Sequence, residues 1–172
     1  MTSLKSVPLQ QVSTGQKYTI ALTRSGEVYS WGCAAQGQLG HGNLQEQLRP
    51  MQVEEFGESN PVAQISAGIC HTLAVTRSGA LYSWGYGSNH CLGHDDVANE
   101  LRPRKVEHGG FDELFLATAV AGAEHSVAID CLGQVRVAPS KGLPFSEGFI
   151  LKKKKLLYAW QKVSNIIESK DK

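Results

Sequence analysis

Up to residue 135, apolar residues fall in short runs broken by glycine, not at helical spacing. Thr19-Ile20-Ala21-Leu22-Thr23 is one such run, Arg24-Ser25-Gly26-Glu27 interrupts it, and Val28-Tyr29-Ser30-Trp31 follows with alternating character. Two β-prone runs around a Ser-Gly pair predict a β-hairpin, because glycine takes the positive φ that such turns require. The same order returns at Thr72–Thr76, Ser78-Gly79 and Leu81–Trp84. A leading strand is predicted at Gln11–Thr14 and at Ala63–Ala67, stopped by Gly15 and Gly68; Gly122 holds the same place further on. A fourth short strand is predicted at Met51–Glu54 and Arg104–Glu107, each with a proline just ahead of it, as suits a strand at a sheet edge.

The recurrence is regular. Val12–Glu54 aligns with Ile65–Glu107 without a gap, and 20 of 43 positions are identical, which chance does not produce. Arg49-Pro50 and Arg102-Pro103 share the 53-residue offset of Trp31 and Trp84. A third copy opens near Val120, where Gly122, His125, Ser126 and Gly133 follow Gly68, His71, Thr72 and Gly79 by 54. The chain divides into copy one at 12–64, copy two at 65–119, an incomplete copy three at 120–135, and an unrelated basic tail at 136–172. Short strands repeating in fours predict an all-β fold, a partial β-propeller of antiparallel four-stranded blades.

These residues resemble a known repeat. Gly68-Ile69-Cys70-His71-Thr72-Leu73-Ala74-Val75-Thr76, Gly79-Ala80-Leu81-Tyr82-Ser83-Trp84-Gly85 and Gly37-Gln38-Leu39-Gly40-His41-Gly42 are similar to the repeat of the regulator of chromosome condensation family. The resemblance implies a seven-bladed propeller. It also implies roles found among family members: exchange factors for Ras-like GTPases, chromatin binders, an ultraviolet-B photoreceptor, and adaptor domains. Two and a half repeats do not close such a ring, and Arg136-Val137-Ala138-Pro139 stands where Tyr-Ser-Trp-Gly is expected. The photoreceptor members carry tryptophan one residue after the repeat glycine. Here those places are Gln16, Ile69 and Ala123, so that photochemistry is not expected.

Composition narrows the picture further. The formal net charge is +1, so no bulk field attracts nucleic acid or an anionic membrane. No apolar run approaches the length of a membrane span, and Met1–Gln11 lacks a signal core, so a nuclear or cytoplasmic location is expected. Cys33, Cys70, Cys91 and Cys131 form no C-x-x-C pair and read as reduced, core-filling thiols.

Catalytic, cofactor and metal sites are not expected. His71 and His125 precede hydroxyl residues but have no recurring acidic partner, and no nucleophile motif or phosphate-binding glycine loop occurs, so direct nucleotide binding is not expected. His90 and His94 are spaced as metal ligands on a helix, yet the repeat places them in a loop. The recurring tryptophans read as packing between blades. Partner binding is expected instead in the equivalent loops Gln36–Leu48 and Asn89–Leu101, where the copies differ most. The candidates are Gln36, His41, Asn43 and Glu46, and then Asn89, His90, Asp95, Asp96 and Glu100.

In the tail, Leu156, Trp160, Val163 and Ile167 form an apolar stripe that predicts a C-terminal helix from Ile150, behind a Lys152–Lys155 basic run. Three functions stand side by side. The first is a non-catalytic interaction module whose protein partner is a small GTPase or a chromatin protein, with self-association through open blade edges. The second is guanine-nucleotide exchange on a Ras-like GTPase. The third is a truncated isoform or gene-model fragment without independent activity.

Overall fold

The computed structural model describes residues 4–107 and 115–138, with the side chains of residues 5 and 136–138 left aside. The predicted helix from Ile150 lies outside the described residues.

The first sheet consists of β1 (Leu9–Thr14), β2 (Tyr18–Thr23), β3 (Val28–Gly32) and β4 (Gln47–Gln52), antiparallel and in chain order. The second repeats it with β5 (Val62–Ala67), β6 (His71–Thr76), β7 (Leu81–Gly85) and β8 (Glu100–Lys105). The third holds β9 (Leu116–Ala121), β10 (Ser126–Asp130) and β11 (Val135–Ala138). These are blades one, two and three. Strand β11 continues the blade three residues past the last match to the repeat. Gly26, Gly79 and Gly133, at φ of +100°, +81° and +76°, make the hairpin turns that the sequence predicts.

The fourth strands begin earlier than expected, so Pro50 and Pro103 lie inside β4 and β8 and not ahead of them. The pairing explains this. Register slips between Ser30 and Gly32, and again between Ser83 and Gly85, so the outer strand carries extra residues where its ladder is already broken. Proline lacks an N–H and is tolerated at such a place.

Strands β1, β5 and β9 lie side by side as the inner strands of successive blades, and the sheets stack face to face. Ile20, Leu22, Val53 and Phe56 of blade one pack with Val62, Ile65 and Trp84 of blade two. Leu73, Val75 and Val106 of blade two pack with Leu116, Ala119 and Ala128 of blade three. Each such valine, leucine, isoleucine or phenylalanine side chain contributes about 1.5–3 kcal/mol by leaving water. Trp84 is fully buried at the junction of blades one and two, 5.8 Å from the Phe56 ring, which bears out its reading as inter-blade packing.

Candidate partner-binding face

The up-and-down order of the strands brings one set of connections to one end of the blades. These are the β1–β2, β5–β6 and β9–β10 turns and the long β3–β4 and β7–β8 loops. All nine candidate residues lie in or beside the two long loops.

The frame beneath this end is polar and repetitive. Ser30 Oγ donates to the Leu39 carbonyl at 2.7 Å and meets His41 Nε2 at 2.9 Å. Ser83 Oγ does the same with the Leu92 carbonyl at 2.6 Å and His94 Nε2 at 3.0 Å. His41 therefore pins its own loop to β3, and burial holds its pKa below the ordinary histidine value. His94 is buried on Ser83 while His90 is half-buried with φ of +56°. The described residues contain no group of three or more metal-ligating side chains.

A second polar series joins the blades. The Tyr18 hydroxyl donates to the His71 carbonyl and meets Thr72 Oγ1 at 3.0 Å, and Thr72 Oγ1 donates to the Gln38 carbonyl at 3.0 Å. One blade on, His71 Nε2 meets Ser126 Oγ at 3.1 Å, and Ser126 Oγ donates to the Cys91 carbonyl at 2.6 Å. Trp84 Nε1 also donates to the Gln38 carbonyl, at 2.9 Å. The His71–Ser126 pair has the look of a base and a nucleophile, but both groups are buried and the hydroxyl proton is committed to a carbonyl. Burial, with His125 nearby, pushes His71 down to about 4, which keeps it neutral at ordinary pH. These groups satisfy buried polar atoms of the frame.

The remaining candidates are more open. Gln36 accepts from Asn99 Nδ2 at 2.8 Å, which ties the two long loops together. Asn43 accepts from the Gln45 amide at 2.9 Å in a local turn, and Glu46 is exposed beside it. Asn89, at φ of +63°, reaches Glu124 of blade three at 3.5 Å. Asp95 and Asp96 are exposed. Glu100 is not a loop residue: it opens β8 opposite Gly85. Arg104 bridges Asp96 at 3.1 Å and Glu100 at 2.6 Å, and its hydrogen bond holds the Asp96 carboxyl below its usual range. Two of the three carboxylates that Asp95, Asp96 and Glu100 bring to this end are therefore paired with a neighbour that sequence spacing alone did not indicate.

The sequence reading also missed the apolar members of this end. Leu44, Leu48, Ile69 and Val97 are exposed there, Leu48 at 88%. Ile69 borders a cavity of about 240 Å³ formed by the three inner turns, with Gln16, Ala123 and the three repeat glycines around it. The glycines are required by close approach: a Cβ on Gly15 would stand 2.5 Å from the Gly68 carbonyl, and one on Gly68 2.7 Å from that of Gly122.

Stacked four-stranded sheets with a loop-bearing end define the blades of a β-propeller. Residues 25–75 and 78–129 match the Regulator of chromosome condensation (RCC1) repeat, and the chain belongs to that family. It is 33% identical over 131 residues to the ultraviolet-B receptor UVR8 of Arabidopsis thaliana, covering 76% of this chain and 29% of the receptor. It is 44% identical over 96 residues to the human E3 ubiquitin-protein ligase HERC2, covering 56% of this chain and 2% of the ligase. The crystal structure of Prp20p from Saccharomyces cerevisiae, at 16% identity, shares the fold with a TM-score of 0.67 over 96% of this chain and 36% of that one. The chain thus spans less than a third of the length of the relatives it matches first. All four cysteines are free thiols, and no described helix is long and apolar enough to cross a membrane.

Proposed function

We propose that this chain is a protein-interaction module without chemistry of its own, binding a protein partner through the β3–β4 and β7–β8 loops and the inner turns beside them. One observation carries the reading. The polar side chains that repeat, Tyr18, His71, Ser30 and Ser83 among them, are buried in the frame, whereas Glu46, Asp95 and Asp96 are exposed to solvent beside exposed leucine and valine. Rigid scaffolds with variable loops are the usual platform for recognition. A nuclear or cytoplasmic setting suits the free thiols. A photo-crosslinking residue at Glu46 or Asp96 should yield partner adducts in cells. The same probe at Glu27 or Arg77, at the opposite end of the blades, should not. Adducts confined to the opposite end would overturn the assignment.

A second reading is guanine-nucleotide exchange on a Ras-like GTPase. It draws on the likeness to Prp20p, whose structure report describes binding to Gsp1p and histones. Labelled-nucleotide release from Gsp1p separates the two: the module reading expects no acceleration by this chain.

A further inference from the structure

Strand direction fixes where the chain leaves the described blades. Ala138, the last residue of β11, pairs with Ser126, which opens β10 directly after the turn at 122–125. That turn stands at the loop-bearing end, where Glu124 accepts from Asn89 of the β7–β8 loop at 3.5 Å. Residues 139–172 therefore set out from beside the candidate partner-binding face.

Tail and face are complementary in charge. The long loops at 33–46 and 86–99 hold Glu46, Asp95 and Asp96 and contain no lysine or arginine. Glu124 adds a carboxylate in the β9–β10 turn; the cations nearby are Lys17 of the β1–β2 turn and Arg104, which is already paired with Asp96 and Glu100. Residues 139–172 carry eight lysines against Glu147, Glu168 and Asp171.

The two are also complementary in apolar surface. Ile69 is 40% exposed and Val97 53%, and both belong to blade two, which has a blade on either side. Leu44 holds the repeat place of Val97 and is exposed to the same degree. Asn43 and Asp96 each accept from the amide two residues on, so a tight turn holds these aliphatic side chains at the loop tips. The tail stripe of Leu156, Trp160, Val163 and Ile167 is the matching element, with Lys152–Lys155 one helical turn ahead of it. The lengths agree. The residues from 139 to 149 span up to about 36 Å when extended. A helix over 150–167 is about 27 Å long, and stacked sheets lie about 10 Å apart, so the tail reaches from blade three to the loop tips of blades two and one.

We infer that residues 150–167 dock as an amphipathic helix across the β5–β6 turn and the tips of the two long loops. The stripe covers Ile69 and Val97, Lys152–Lys155 meet Glu46, Asp95 and Asp96, and the chain thereby covers its own partner-binding face. The occupant is this chain's own tail, not that of a second copy. That a protein partner must displace the tail rests on the function proposed above; the docking itself does not.

Carbodiimide, which joins a lysine amine to a carboxylate in direct contact, tests this on the full chain at low micromolar concentration. An equal mixture of heavy-isotope-labelled and unlabelled protein is treated, and the joined peptides are mapped by mass spectrometry. Lys152–Lys155 should join to Glu46, Asp95 or Asp96 within one isotope class, while Glu55 and Glu58, exposed at the opposite end, stay unjoined. Leu156→Asp with Trp160→Asp leaves every lysine in place. It should abolish the links and shift the Ile69 and Val97 methyl resonances, which lose the Trp160 ring above them. No links, links to Glu55 and Glu58 in equal yield, links of mixed isotope, or links and methyl resonances indifferent to the double substitution each overturn the inference. Intramolecular links without any partner adducts at Glu46 or Asp96, even in the double variant, would remove the proposed function and leave the docking standing.

Discussion

Replacing Trp84 with alanine tests whether the blades are held together where the structure says they are. The indole is fully buried, lies against Phe56, and donates to the Gln38 carbonyl at 2.9 Å. Losing a buried tryptophan ring costs about 3–5 kcal/mol through transfer and cavity terms together. The lost hydrogen bond adds little, because Thr72 Oγ1 still donates to the same carbonyl at 3.0 Å and it is not orphaned. Against a total stability of about 5–15 kcal/mol, that is about a fifth or more. For a chain of 172 residues it lowers Tm by about 6–20 °C. Urea unfolding followed by far-ultraviolet circular dichroism measures it, with Trp31→Ala as the internal control. Trp31 occupies the same repeat position but is half-buried, so its replacement should cost less than half as much. Equal losses from the two substitutions would refute inter-blade burial as the source of the energy.

Acid should loosen the junction between blades two and three. His71 titrates near 4 when folded against 6.5 when free, so the unfolded chain takes the proton first. Its contribution is full above pH 6.5, declines as pH falls, and is gone below about 4. His71→Gln should flatten stability across that window in a pH series of urea melts. Ser83→Ala removes the donor to a buried Leu92 carbonyl and the partner of His94, and should cost about 1–3 kcal/mol by thermal melting. Arg104→Ala should change stability by less than about 1 kcal/mol, since its pairs with Asp96 and Glu100 are partly solvated, while the Asp96 carboxyl, read by NMR titration, moves up toward its ordinary value.

Much of the fold was legible in the 53-residue offset, because hairpins are local and their turns need glycine where Gly26 and Gly79 stand. The starts of β4 and β8 were not legible. Pro50 and Pro103 read as boundaries, whereas the bulged pairing opposite Trp31 and Trp84 absorbs them, and pairing irregularity leaves no local mark. For the same reason Glu100 read as a loop residue. Most of the candidate residues do gather at one end, as the repeat alone requires. Which of them face outward was not legible, because that depends on partners a full repeat away, such as Asn99 for Gln36, and on Arg104 across the strand start. The exposed apolar members, Leu48 above all, carried no signal, since a lone leucine in a loop reads like any other.

The Tyr18 hydroxyl and the His71 ring do one job with different chemistry, and the reason lies in what they meet. Each finds, on the next blade, a hydroxyl within hydrogen-bond distance whose own proton goes to a loop carbonyl: Thr72 in one case, Ser126 in the other. Such a socket does not discriminate between a phenol and an imidazole. A blade copied within the gene therefore arrives already fitted to its neighbour, and its plug is free to drift between aromatic types without reshaping the socket. The same freedom means that a substitution at position 18 is felt in blade two as well as in its own blade, where Tyr18 packs with Ile20 and Leu22.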